Sequence, residues 1–241
     1  MLPFTLIVVI ALLSCPALAD ETSRPAQPTD DASNQSFQWR PALLEAGLFL
    51  GIQHSFRLAT EPSTRANLKG PFVRDYFSSA HTVHGWGDGD PPIVNYVGHP
   101  MMGAVTGYIF VQNDPRGKGR VFGRDQGYWK SRLRALAFSA AYSVQFELGP
   151  ISESSIGNIG IDHNGHGAVD LVVTPALGLA WQTTEDALDR LVVEKLERRV
   201  RNRVARMALR AGLNPSRSFA NLMRIKVPWY RDTREHGVGF R

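Results

Sequence analysis

Asn95-Tyr96-Val97-Gly98-His99-Pro100, Glu147 and Asp170 are the residues of this chain best equipped for chemistry. An imidazole beside two carboxylates can exchange protons with a bound substrate. Glu147 would tune His99, or take a proton while His99 serves as base, and Asp170 would orient a partner. Ser154 and Ser155 add hydroxyls that a neighbouring base can activate. His99, Glu147, Asp170 and Ser155 are therefore the catalytic candidates, with Asn95 as a binding residue. The same residues have a plainer use, capping helices and satisfying one another in a polar core.

Other constellations are weaker. His81 with His84, and His163 with His166, are His-x-x-His pairs to which Asp88, Asp90 and Asp162 could add oxygen ligands. They sit in Gly- and Asn-containing regions where surface histidines are ordinary, and they lack the His-Glu-x-x-His spacing of many zinc hydrolases. No metal and no cofactor is expected. Gly117-Lys118-Gly119-Arg120 reads as a basic turn, and Gly157-Asn158-Ile159-Gly160 is too short for a nucleotide loop. Neither a Walker phosphate loop nor a Gly-x-Ser-x-Gly elbow occurs.

These residues need elements to hold them. The chain has 241 residues, 43% hydrophobic and 20% charged, enough for a sizeable core and unlike a disordered or collagen-like chain. Leu6 to Leu13 is a short apolar run followed by Ala17-Leu18-Ala19, the order of a signal peptide over 1–19. Cleavage there would remove Cys15, the only cysteine, and with it any thiol chemistry. Residues 20–38 are polar and Pro-rich, a flexible lead-in.

From 39 to 241 the spacing predicts an all-α domain: a compact multi-helix bundle with glycine-rich loops and a long C-terminal amphipathic helix. Helices are expected over Pro41–Leu58, with Leu44, Leu48 and Ile52 inward, from Arg74 to before Gly85, and over Val94–Val111 and Tyr128–Leu148. Ala168–Trp181 is expected to kink or divide at Pro175, and Leu171-Val172-Val173 also permits a strand. The last helix is expected over Thr184–Ala211, burying Leu188, Leu191, Val192, Leu196, Val200, Val204 and Met207.

Charge is uneven. Residues 190–241 carry 14 Lys/Arg against four Asp/Glu, while 20–189 carry 13 against 18. Arg201, Arg203, Arg206, Arg210, Arg217 and Trp229 are therefore candidate binding residues for an anionic lipid surface or an envelope protein. No nucleic acid is expected, because no recognition motif accompanies the charge. Val94–Val111 alone approaches the length and polarity of a membrane span.

The order Asn95-Tyr96-Val97-Gly98-His99-Pro100, Gly103, Glu147, Ser154 or Ser155, Asp170-Leu171, Thr174-Pro175, Gly178 and Leu213-Asn214-Pro215-x-Arg217 resembles an uncharacterised bacterial cell-envelope family, domain of unknown function 3943. The resemblance covers roughly residues 72 to 230. It departs in an enlarged segment around Gly157–Gly167 and in Thr184-Glu185, where the family has Gly-Glu. The resemblance implies an exported or envelope-associated protein and no transferable reaction or cofactor.

Two readings compete. The first is an exported, periplasmic, envelope-associated structural or binding protein, peripherally attached or embedded. The alternative is an envelope hydrolase or transferase acting on a lipid or cell-wall component through a His/carboxylate site. An integral transporter or assembly factor is a third.

Overall fold

A computed structural model describes residues 36–81, 83, 85–156 and 167–234. The expected signal peptide, most of the lead-in, His84, Asp162, His163 and His166 lie outside these residues. Among the described residues the protein is an all-α bundle with no sheet. Its helices are α1 (Trp39–Thr60), α2 (Pro62–Asn67), α3 (Phe72–Ala80), α4 (His99–Asn113), α5 (Gln126–Leu148), α6 (Glu153–Ile156), α7 (Val169–Leu188), α8 (Glu194–Arg199), α9 (Arg203–Gly212) and α10 (Pro215–Met223). Two π-helical turns, Val94–Gly98 and Asp189–Val193, lead into α4 and out of α7.

Local chemistry sets several boundaries. The Asp125 carboxylate accepts the Tyr128 N–H at 3.0 Å and starts α5, and Asn202 does the same for Ala205 at α9. Pro62, Pro100 and Pro215 stand in first turns, where a missing N–H costs nothing. Pro175 lies inside α7 without dividing it, and Leu171-Val172-Val173 is helical rather than a strand.

α4 forms the axis, with 13 of its 15 residues buried. The start of α4 meets the start of α7 and the end of α5. At the opposite end of the bundle the Gln38 N–H donates to the Asn113 carbonyl at 3.0 Å. α4 and α7 thus run one way, α1 and α5 the other. Contact between α4 and α7 is backbone to backbone: a Cβ on Gly103 would lie 1.9 Å from the Thr174 carbonyl oxygen, and one on Gly178 would lie 2.8 Å from Gly103. Only glycine permits that approach.

The apolar core is small. Ala46, Phe49, Val105, Tyr108, Ile109, Tyr142, Phe146, Ala220 and Met223 form one cluster, and Phe110, Val111 and Ala135 another. Among the described residues 30 polar or charged side chains are buried against 18 hydrophobic ones, so pairing of polar groups must carry much of the order.

Two expectations are corrected here. α1 turns its Glu45, Ala46, Phe49, His54 and Arg57 inward and leaves Leu44, Leu48 and Ile52 exposed. The segment 184–211 is not one helix: α7 extends through it to Leu188, and the chain then breaks at Val200–Asn202. Its buried groups are Glu185, Asp186, Asp189, Val193 and Arg210, while Leu191, Val192 and Val204 face outward. The physical reason is charge. Asp186 accepts hydrogen bonds from Tyr108 (3.0 Å), Tyr128 (2.9 Å) and Arg132 (2.8 Å), and pairs with Arg217. Asp189 pairs with Arg217, Arg231 and Arg234, and Glu197 with Arg210 and Arg234. Satisfying these buried acids outweighs burying the apolar stripe.

No helix among the described residues is long and apolar enough to cross a membrane.

Candidate functional site

Three helix ends converge on one point. His99 opens α4, Glu147 is the penultimate residue of α5, and Asp170 lies in the first turn of α7. All three are 4–5% exposed. One ligand atom from each lies within 4.8 Å of the others. His99 Nε2 is 3.6 Å from Asp170 Oδ1, and its Nδ1 is 3.4 Å from the Thr174 hydroxyl, one turn along α7. Glu147 Oε1 and Asp170 Oδ1 are buried without a hydrogen-bond partner.

Around these three stands a supporting layer. Asp88 is in hydrogen-bond contact with Asp170. The Asn95 amide donates to Asp88 at 2.8 Å, as does the Asp90 N–H at 3.0 Å. Gly85 and Gly89, at φ of 78° and 93°, give that loop its turns. The Ser143 hydroxyl donates to the Asp170 carbonyl at 3.0 Å, and the Ser154 hydroxyl donates to the Glu147 carbonyl at 2.6 Å. Arg57 pairs with Glu153 at 3.1 Å and Glu61 at 3.3 Å.

The electrostatics follow from burial. It pushes the Asp170 carboxyl up to about 9, reinforced by Asp88, and raises Glu147, reinforced by Glu153 and Asp170. It also pushes His99 down to about 4. Glu153 rises to about 7 through burial, against the pull of Arg57. Among the described residues no Lys or Arg forms an ion pair with Glu147 or Asp170. One imidazole nitrogen with two carboxylate oxygens is a donor set suited to zinc or another transition metal.

Asn95 belongs to the site through Asp88. The Ser155 hydroxyl is engaged locally: it donates to the Ser152 carbonyl at 3.2 Å and accepts the Ser152 N–H at 2.8 Å, closing the turn at the start of α6. His81 is exposed, its Nδ1 against the Phe77 carbonyl at 2.7 Å, and it takes no part in the cluster. Of the basic candidates, Arg210 is buried against Glu197 and donates to the Trp229 carbonyl at 3.3 Å, and Arg217 is held by Asp186 and Asp189. They turn inward because buried acids need them. Arg203, Arg206 and Trp229 are half-buried, and Arg201 is exposed.

Asp88 as a partner of Asp170, and Thr174 as a partner of His99, are additions that sequence reasoning missed. The signal for Thr174 was its four-residue spacing from Asp170. For Asp88 it was the Gly87-Asp88-Gly89-Asp90 loop seven residues before Asn95. A cavity of about 350 Å³ lies at the opposite end of the bundle, beside Tyr108, Arg132, Asp186 and Arg217. Its charged walls are the ion-pair network, so it is distinct from the His99 cluster.

No family model, curated protein or solved structure matches the chain.

Proposed function

We propose that this protein is an envelope hydrolase or transferase whose reaction is run at His99, Glu147 and Asp170 around a divalent cation. The observation that supports it is the convergence of three buried donors with two carboxylate oxygens left without a partner. Burial holds both carboxyls protonated in the absence of a counter-charge, and a cation among them would displace those protons and compensate the charges they leave. It would supply Lewis acidity and a bound water acidic enough to attack near neutral pH. Thr174 fixes the His99 ring, and Asn95 holds Asp88 beside Asp170. With Ser155 spent on Ser152, water is the nucleophile the arrangement favours. The expected signal peptide and the family resemblance support an envelope location, and hence a lipid or cell-wall substrate.

The test is a calorimetric titration of chelator-stripped protein with zinc and manganese, followed by turnover of ester and phosphodiester substrates. One cation per chain, with binding and turnover both lost in Glu147→Gln and Asp170→Asn, is the expected result. Absence of cation binding in folded wild-type protein would overturn the reading.

A further inference from the structure

We infer that the outer face formed by α1, α5 and α7 seats the protein on an anionic lipid surface, with these helices lying along the interface. The inference goes beyond the proposed reaction and does not depend on it. It rests on how charge is distributed over the three helices. From Pro41 to Phe56, α1 has one charged residue, Glu45, and it is buried. From Ala135 to Leu148, α5 has one, Glu147, also buried. From Leu171 to Thr184, α7 has none.

What these stretches present outward is apolar. Leu44 is 66% exposed and Val144 50%, with Leu48, Ile52 and Leu177 also exposed, and Leu133, 57% exposed, continues the α5 row just before Ala135. The helices are neighbours: the Phe49 and Tyr142 rings stack at 5.7 Å between α1 and α5, and the Ser143 hydroxyl bonds the Asp170 carbonyl between α5 and α7. Stretches of 14 to 16 residues make a face some 20 Å or more long at about 1.5 Å per residue. Exposed apolar rows on neighbouring helices with so few charges mark an interaction site.

Charge selects the occupant. At one end of this face, residues 114–134 carry seven Lys/Arg against two Asp, and the exposed Arg40, Lys118, Arg124 and Lys130 border the apolar stretches there. Trp39 and Trp129, 59% and 42% exposed, stand at the same border. An apolar face edged by tryptophans and cations matches acyl chains edged by anionic headgroups. Because the inward faces of the same helices are polar, the face suits an interface rather than a span, in keeping with the absence of any sufficiently long apolar helix among the described residues.

The experiment is co-sedimentation of the purified protein with vesicles of phosphatidylcholine alone and with one-third phosphatidylglycerol. Association with the anionic vesicles, weakened but not abolished by salt, is expected, together with a blue shift of tryptophan emission. The double variant Leu48→Gln/Leu133→Gln should lose at least about tenfold in binding while keeping its helical circular dichroism. Val204→Gln, on α9 at a 70% exposed position, should bind as wild type. Folded wild-type protein that stays in the supernatant, or self-associates through this face without binding vesicles, would overturn the inference. So would equal loss in the Val204→Gln control. The readout contains no divalent cation or substrate, so its failure leaves the proposed reaction standing.

Discussion

Gly103→Ala is the sharpest probe of the architecture. The new methyl carbon would lie 1.9 Å from the Thr174 carbonyl oxygen and 2.8 Å from its carbon, where ordinary contact begins near 3.4 Å. About 1.5 Å must be found between two backbones, neither of which can swing aside. Overpacking costs about 1–3 kcal/mol in general, and a backbone obstacle places this case at the top of that range. Alanine returns just under 1 kcal/mol of helix propensity, leaving a net loss of about 2 kcal/mol. For a domain of this size that moves the urea midpoint down by roughly 1 M, followed by circular dichroism. Gly107→Ala meets only the Gln182 side chain, at 2.7 Å, and should lose less. Gly51→Ala meets nothing within 4 Å and should gain about 0.5–1 kcal/mol. Any surviving Gly103→Ala fold should also bind a divalent cation about tenfold more weakly, because Thr174 holds His99. Equal midpoints for Gly103→Ala and Gly51→Ala would refute the close α4–α7 approach.

Further outcomes follow from the same structure. Metal-free Glu147→Gln should be about as stable as wild type in urea while failing to bind zinc in the calorimeter, since burial already holds the Glu147 carboxyl protonated and the substitution replaces one neutral side chain by another while removing a ligand. Asp186→Ala strips the counter-charge from Arg132, which is 2% exposed, and should cost about 3–5 kcal/mol in the same melts. Burial opposes ionisation of Asp189, but the guanidiniums of Arg217, Arg231 and Arg234 outweigh it and hold the carboxyl down to about 2. Its stabilisation is therefore complete above the ordinary carboxylate value and is lost as pH falls through about 2. Asp189→Asn should remove about 2 kcal/mol at neutral pH and flatten that acid limb in pH-dependent unfolding. Leu191→Gln, half exposed, should change stability by less than about 0.5 kcal/mol.

Helix positions were legible in the sequence where apolar residues recur at helical spacing. The helices expected over Pro41–Leu58, Val94–Val111 and Tyr128–Leu148 fall on α1, on the π-helical turn with α4, and on α5, each within a few residues of its observed bounds. The convergence of His99, Glu147 and Asp170 was legible because each lies at the end of an apolar stretch, and antiparallel packing brings such ends together. Which face of a helix turns inward was not. In α1 and in 184–211 the apolar periodicity names the wrong side, since it assumes that oil is buried. Here the buried sides carry Glu45, Asp186 and Asp189, whose partners come from distant segments that no local window contains. Asp88 escaped for the same reason: its role depends on Asp170, far along the chain. The local hydrogen bonds of Ser155 to Ser152 were likewise not legible, because they depend on the conformation of the turn and not on residue type.

The ion pairs that fasten α9, α10 and the segment after them onto α7 have a consequence for biogenesis. Ribosomal synthesis runs from amino to carboxyl end, so α1 through α7 emerge before Arg210, Arg217, Arg231 and Arg234 exist. Until those cations arrive, Asp189 lacks all of its guanidinium partners and Asp186 has only Arg132, so this end of the bundle resists collapse. Full closure of that end therefore waits until the last basic stretch of the chain has been made.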